Sequence, residues 1–127
     1  MATWERYDAP FFHLLRSPDD LVGTYLKGRG RALTTLAKAQ VGVDTGDLKR
    51  SITWHLVTSR GTLAVNVTAS DKKAMMHHEG TRPHIIRPRR KQTLTFKQHG
   101  RIVTAKIVYH PGTRPNRFLT DNLPKVI

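Results

Sequence analysis

The sequence predicts an α+β fold: a curved antiparallel sheet of two hairpins packed on one long N-terminal helix, with a short C-terminal helix. Three observations carry that expectation. Apolar residues recur at helical spacing between Leu21 and Ala37, the period changes to two at Ile52, and it is two again from Leu94. A chain of 127 residues suits one domain, expected over residues 17–127 behind an N-terminal arm at 1–16.

The arm holds Trp4, Tyr7, Phe11, Phe12, Leu14 and Leu15 with no clear period, a density of aromatics that suits packing on the domain body or on another subunit. Ser17-Pro18-Asp19-Asp20 then reads as a helix start, with Ser17 as N-cap, Pro18 at the first helical position and acids in the first turn. Leu21, Val22, Tyr25, Leu26, Leu33, Leu36 and Ala37 form its apolar face, opposite Lys27, Arg31 and Lys38. Gly28 and Gly30 each cost about 1 kcal/mol relative to Ala and predict a kink or break, and Gly42 ends the helix. Asp44-Thr45-Gly46-Asp47 reads as a cap followed by one short helical turn.

From Ile52 the alternation begins. Ile52, Trp54 and Leu56 share a face, Ser59-Arg60-Gly61 turns the chain, and Leu63, Val65 and Val67 return, which makes a hairpin. In the second hairpin, Leu94 and Phe96 alternate with polar residues, Gln98-His99-Gly100 turns, and Arg101 to Tyr109 runs back until Pro111, Gly112 and Pro115 stop it. Arg117 to Leu123 is the expected closing helix, ended by Pro124. The tetrapeptide Gly-Thr-Arg-Pro occurs twice, at 80–83 and 112–115, which is too few copies for a repeat architecture.

Composition narrows the function. With no Cys, disulfides and thiolate metal sites are excluded. No apolar run approaches the ~20 residues of a membrane helix, so no membrane partner is expected. Met1 to Leu15 lacks the charged-then-apolar order of a secretory signal, and an intracellular product is expected. Charge is the loudest feature: 22 basic against 9 acidic residues give +13. Residues 72–117 hold twelve of the cations and only Glu79 among the acids, so the second half is the partner-facing half.

Catalytic and cofactor signatures are weak. His77, His78 and His84 lie close to Glu79, but adjacent histidines on a strand point to opposite sides, and neither a metal nor another cofactor is expected. Asp44 and Asp47 are spaced as helix capping already requires, and no second carboxylate cluster exists to hold Mg²⁺. A metal-free ribonuclease using His78 or His84 with Arg87 is chemically possible, though no spacing selects it. No phosphate-binding loop is present, and Gly28-Arg29-Gly30 is too short for a dinucleotide fingerprint. No enzyme is expected.

Arg87-Pro88-Arg89-Arg90-Lys91 is the sharpest chemical feature. Together with Lys97 and Arg101 it is the expected contact with DNA or an acidic partner, through point charges and guanidinium forks. The competing reading is a solvated loop whose charges keep an edge strand from pairing. No recognition helix or stacked aromatic pair is visible, so nucleic-acid contact is expected to be blind to sequence.

The order of these segments resembles a family. Val43-Asp44-Thr45-Gly46-Asp47-Leu48-Lys49-Arg50-Ser51-Ile52 follows a helix and precedes a hairpin. His78-Glu79-Gly80-Thr81-Arg82-Pro83-His84, a basic stretch and Leu94-Thr95-Phe96 come next, then His110-Pro111-Gly112-Thr113-Arg114-Pro115-Asn116-Arg117-Phe118-Leu119. Over roughly residues 20–123 the chain is similar to the neck or tail-completion proteins of long-tailed double-stranded DNA bacteriophages, the head–tail connector or minor tail proteins. Met75-Met76-His77-His78-Glu79 stands where many relatives carry aromatic and apolar residues.

The resemblance implies a non-catalytic virion protein, assembled in the host cytoplasm into a hexameric ring. Such a ring joins the head connector to the tail tube or terminator and surrounds double-stranded DNA without sequence specificity. It assigns Asp44, Thr45, Gly46 and Leu48, then Gly80, Thr81 and Pro83, then Gly112, Thr113, Pro115, Phe118 and Leu119, to fold and interface roles. A tail terminator ring, a free basic nucleic-acid-binding module and a small ribonuclease toxin are the alternatives. Six copies at +13 each would carry +78, whereas a ring about 40 Å tall encloses only about 24 DNA charges. Part of the basic surface is therefore expected to dock on acidic rims of adjoining rings.

Overall fold

The computed structural model describes residues 9–127, the side chains of Ala9 and Phe11 aside. Trp4 and Tyr7 of the expected arm lie outside the described residues. The helices are α1 (Ala9–Arg16), α2 (Leu21–Gln40), α3 (Asp47–Ser51), α4 (Ala74–Glu79) and α5 (Leu123–Val126). The strands are β1 (Ile52–Ser59), β2 (Thr62–Ala69), β3 (His84–Ile86), β4 (Leu94–Gln98), β5 (Arg101–Ala105) and β6 (Val108–His110). The fold is α+β, as expected, with the long α2 packed on antiparallel strands and a short C-terminal helix. Hydrogen bonding divides the strands into three two-stranded sheets, β1–β2, β3–β6 and β4–β5, in place of one curved sheet. The described residues form two compact units: those up to Ala74 together with Arg117–Ile127, and Met75–Asn116.

The first unit holds all the buried apolar residues. α1 packs on α2 and β2, and its Arg16 guanidinium lies 4.8 Å from the Phe12 ring centre. α2 begins three residues later than Ser17 predicts. Ser17 N–H donates to His13 C=O at 2.8 Å and so closes α1. The Asp20 carboxylate, accepting from Leu21 N–H at 2.8 Å, caps α2 instead. Asp20 also bonds His13 Nδ1 at 3.0 Å. The N–H bond and the His13 contact together hold its carboxyl below the usual aspartate range.

No break occurs at Gly28 or Gly30; α2 is continuous. Its buried stripe is Gly23, Gly30, Leu33, Thr34 and Ala37, continued by Val41, while Leu21 and Tyr25 of the expected apolar face are exposed. Gly30 explains the shift. A Cβ there would lie 2.7 Å from Val65 Cγ2 and 3.2 Å from the Trp54 ring, so the glycine lets the β1–β2 hairpin approach α2 closely.

The expected hairpin forms, with Trp54 opposite Val67 and Leu56 opposite Val65. Its two-residue turn, Arg60-Gly61, has both residues at positive φ, as a type I′ turn requires. Ala37, Val41, Ile52 and Phe118 form the core cluster, with Leu48, Val67, Ala69 and Leu119 packed against it. Asn122, only 2% exposed, ties the C-terminal segment to α2: its Nδ2 donates to Gln40 Oε1 at 2.6 Å and to Phe118 C=O at 2.8 Å. The closing helix is Leu123–Val126, not Arg117–Leu123, and Pro124 sits in its first turn. Proline's missing N–H costs nothing there, so it starts this helix instead of ending one.

No residue of the second unit is fully buried. Its β4–β5 hairpin turns at His99-Gly100, again both at positive φ. The β3–β6 ladder pairs residues 84–86 with 108–110, a separation that periodicity cannot reveal.

Candidate functional site

The two Gly-Thr-Arg-Pro copies meet in the second unit and clasp each other. Thr81 N–H donates to Thr113 C=O at 3.1 Å, Thr113 N–H donates back to Thr81 C=O at 3.0 Å, and the two hydroxyls are 3.1 Å apart. Each glycine lies against the other copy's backbone. A Cβ on Gly80 would stand 2.5 Å from Thr113 O, and one on Gly112 would stand 2.3 Å from Thr81 O. Both have positive φ, at 74° and 84°, so glycine is required twice over. The tetrapeptide repeats because the site is locally two-fold.

The clasp runs in register into the β3–β6 ladder, where His84 faces His110 and Ile85 faces Tyr109. The two imidazoles stack, with centroids 4.9 Å apart. His84 Nδ1 bonds Arg82 C=O at 2.8 Å and so carries a proton, whereas His110 Nδ1 accepts Gly112 N–H at 3.0 Å and so does not. Pro83 lines a shallow hollow of about 370 Å³ beside Ile85 and Tyr109. His77 and His78 lie on α4, not on a strand. His77 C=O accepts Asn116 N–H at 3.0 Å, and His78 Nδ1 bonds Glu79 at 2.8 Å. Among the described residues no group of three or more His, Asp or Glu is placed to hold a metal ion.

The basic residues occupy the same unit. Residues 75–116 hold nine Arg and Lys residues and one carboxylate, Glu79, which faces His78. None of the nine has a side-chain hydrogen bond, carboxylate partner or ring contact among the described residues. In the first unit some cations are engaged: Lys27 meets Asp19 at 3.1 Å, Arg50 meets Asp47, Arg29 covers Tyr25 and Arg31 covers Trp54.

Arg89, Arg90 and Lys91 line one open hollow of about 470 Å³ together with Pro88, Thr93, Leu94 and Thr95. Arg87 precedes it, between β3 and the loop. Lys97 and Arg101 do not share a face of the hairpin. Lys97 stands opposite Ile102 and Arg101 opposite Gln98, one step along the ladder, so their side chains project to opposite sides. Uncompensated charge in such numbers suits an anionic partner, because without one it repels itself.

The other motif residues serve the first unit. Gly46 is the N-cap of α3, and Asp47, not Asp44, is its working acid. The Thr45 hydroxyl donates to Asp47 Oδ2 at 2.7 Å and Arg50 to its other oxygen. The Thr45 bond chiefly, with Arg50 nearby, lowers the Asp47 carboxyl below its usual range. Leu48 packs against the core, Phe118 is buried in it, and Leu119 also lines an apolar groove of about 590 Å³ between α2, β2 and the C-terminal segment. Pro115 belongs to the clasp, its nitrogen 2.8 Å from where a Gly80 Cβ would be.

Sequence reasoning missed the His84–His110 stack and the exposure of Tyr109. The tetrapeptide repetition was the available signal for both. No helix of the described residues is long and apolar enough to cross a membrane. Comparison with protein-family models, curated proteins and solved structures finds no match to this chain.

Proposed function

We propose that the chain is a structural, non-catalytic subunit of a phage head–tail connector or tail-completion ring, whose basic surface docks on acidic rims of neighbouring rings and on channel DNA. The observation that carries this reading is the set of nine cations in the second unit without a side-chain partner. The α+β order, with a long helix packed on a hairpin, agrees with what the motif resemblance implies. The exposed carboxylate of Asp47 is engaged by the Thr45 hydroxyl and the Arg50 guanidinium. Location in the virion neck and a hexameric state belong to the same proposal.

The test is joining in vitro. Heads and tails from infected cells lacking this chain are mixed with purified protein and counted as joined particles. Wild-type protein restores joining, and an Arg89→Glu, Arg90→Glu double variant does not. Equal joining by the double variant removes this loop from the interface, and no joining by the wild type refutes the connector reading.

A further inference from the structure

Tyr109 is 77% exposed at the centre of a ladder whose neighbouring cations are unpartnered. Its cross-strand neighbour Ile85 is 50% exposed, so the pair presents an apolar surface. Pro83 and Pro111 border that surface in the same hollow. The Tyr109 ring makes no hydrogen bond, aromatic stack or cation contact among the described residues. Leaving so large a ring in water gains nothing for this fold, since it covers no core. Arg87 lies two residues beyond Ile85, at most about 7 Å away along the chain, and leads directly into Arg89, Arg90 and Lys91. Arg82 and Arg114, both exposed, flank the clasp at the ladder's other end.

We propose that the β3–β6 ladder is a binding platform for single-stranded nucleic acid, on which the Tyr109 ring stacks against a base while Arg87 and the 89–91 hollow hold the adjoining phosphates. The pairing of a free aromatic face with a run of free cations selects this ligand class. In a duplex the base faces are already covered by their neighbours, so a ring lying flat on a strand has no π-face to meet. An acidic polypeptide supplies charge but no regular series of planar groups. The proposal goes beyond the connector reading and stands without it.

The test is binding of a fluorescent oligo(dT) strand by the full chain, followed by anisotropy across a salt series. Wild-type protein and Tyr109→Phe bind alike. Tyr109→Ala weakens binding about tenfold, within the range for one stacked base, and leaves the salt slope unchanged. Arg89→Glu with Arg90→Glu lowers the slope. A duplex of the same length shows no dependence on Tyr109. Melting curves confirm that Tyr109→Ala is folded, which its exposure predicts.

Several results overturn the proposal: no binding of the single strand, equal binding by Tyr109→Ala, or the same Tyr109 dependence with the duplex. Competition by polyglutamate that depends on Tyr109 overturns it in favour of an acidic protein surface. Failure in these assays leaves head–tail joining untouched, and failure of joining leaves oligonucleotide binding untouched.

Discussion

Two glycines of one helix, two residues apart, are predicted to respond differently to alanine. Ala is favoured over Gly in a helix interior by about 1 kcal/mol at either position. At Gly28 a Cβ meets nothing within 4 Å, so Gly28→Ala keeps the whole gain. At Gly30 the Cβ would lie 2.7 Å from Val65 Cγ2 and 3.2 Å from the Trp54 ring, where carbon pairs prefer about 3.5–4.0 Å. Val65 is β-branched and lies in a paired strand, so it cannot swing clear without moving β2. Overpacking of this kind costs about 1–3 kcal/mol, which offsets or exceeds the helix gain. The propensity gain cancels between the two variants, so Gly30→Ala is less stable than Gly28→Ala by the overpacking cost alone. Urea unfolding followed by tryptophan fluorescence measures it, because Trp54 stands at the contact, provided the slopes match. Equal midpoints for the two variants would refute the close approach of hairpin to helix.

Three further outcomes follow from particular atoms. The buried Thr34 hydroxyl has no hydrogen-bond partner among the described residues, so Thr34→Val stabilises the fold by about 1 kcal/mol in the same urea assay; a loss would mean the hydroxyl is satisfied. Gly112→Ala breaks the clasp, and loss of its two backbone bonds, about 1 kcal/mol each, speeds exchange of the Thr81 and Thr113 amides about thirtyfold; unchanged protection contradicts the clasp. Because the Asp20 carboxyl is lowered in the folded state, its stabilisation is complete above the ordinary value of 3.8 and is lost as pH falls below it. Melting between pH 6 and pH 3 should therefore show a smaller acid loss for Asp20→Asn than for wild type, and an identical loss would exclude Asp20 as the responsive cap.

What the sequence made legible was local. α2 and both hairpins follow from apolar period and turn residues, since the physics that forms them acts within a few residues. The misreadings occur where a distant segment decides. Gly30 reads as a helix breaker because the hairpin that needs it begins more than twenty residues later. Ser17 reads as a cap because its N–H bond to His13 is invisible until α1 is known to be helical. Pro124 reads as a stop because only the position of Asn122 shows where the last helix starts. The clasp joins residues 32 apart, so its two tetrapeptides look like chance repetition until they are paired. In the candidate site, the basic run was plain from charge alone. The division of Lys97 from Arg101 needed the strand register, and the Tyr109 surface needed the β3–β6 pairing.

Gold labelling of purified particles with an antibody to this chain tests the connector proposal most directly. A connector subunit places the label at the junction of head and tail, in a fixed copy number per particle by quantitative mass spectrometry. Tailed, DNA-filled, infectious particles that contain none of the chain would contradict it.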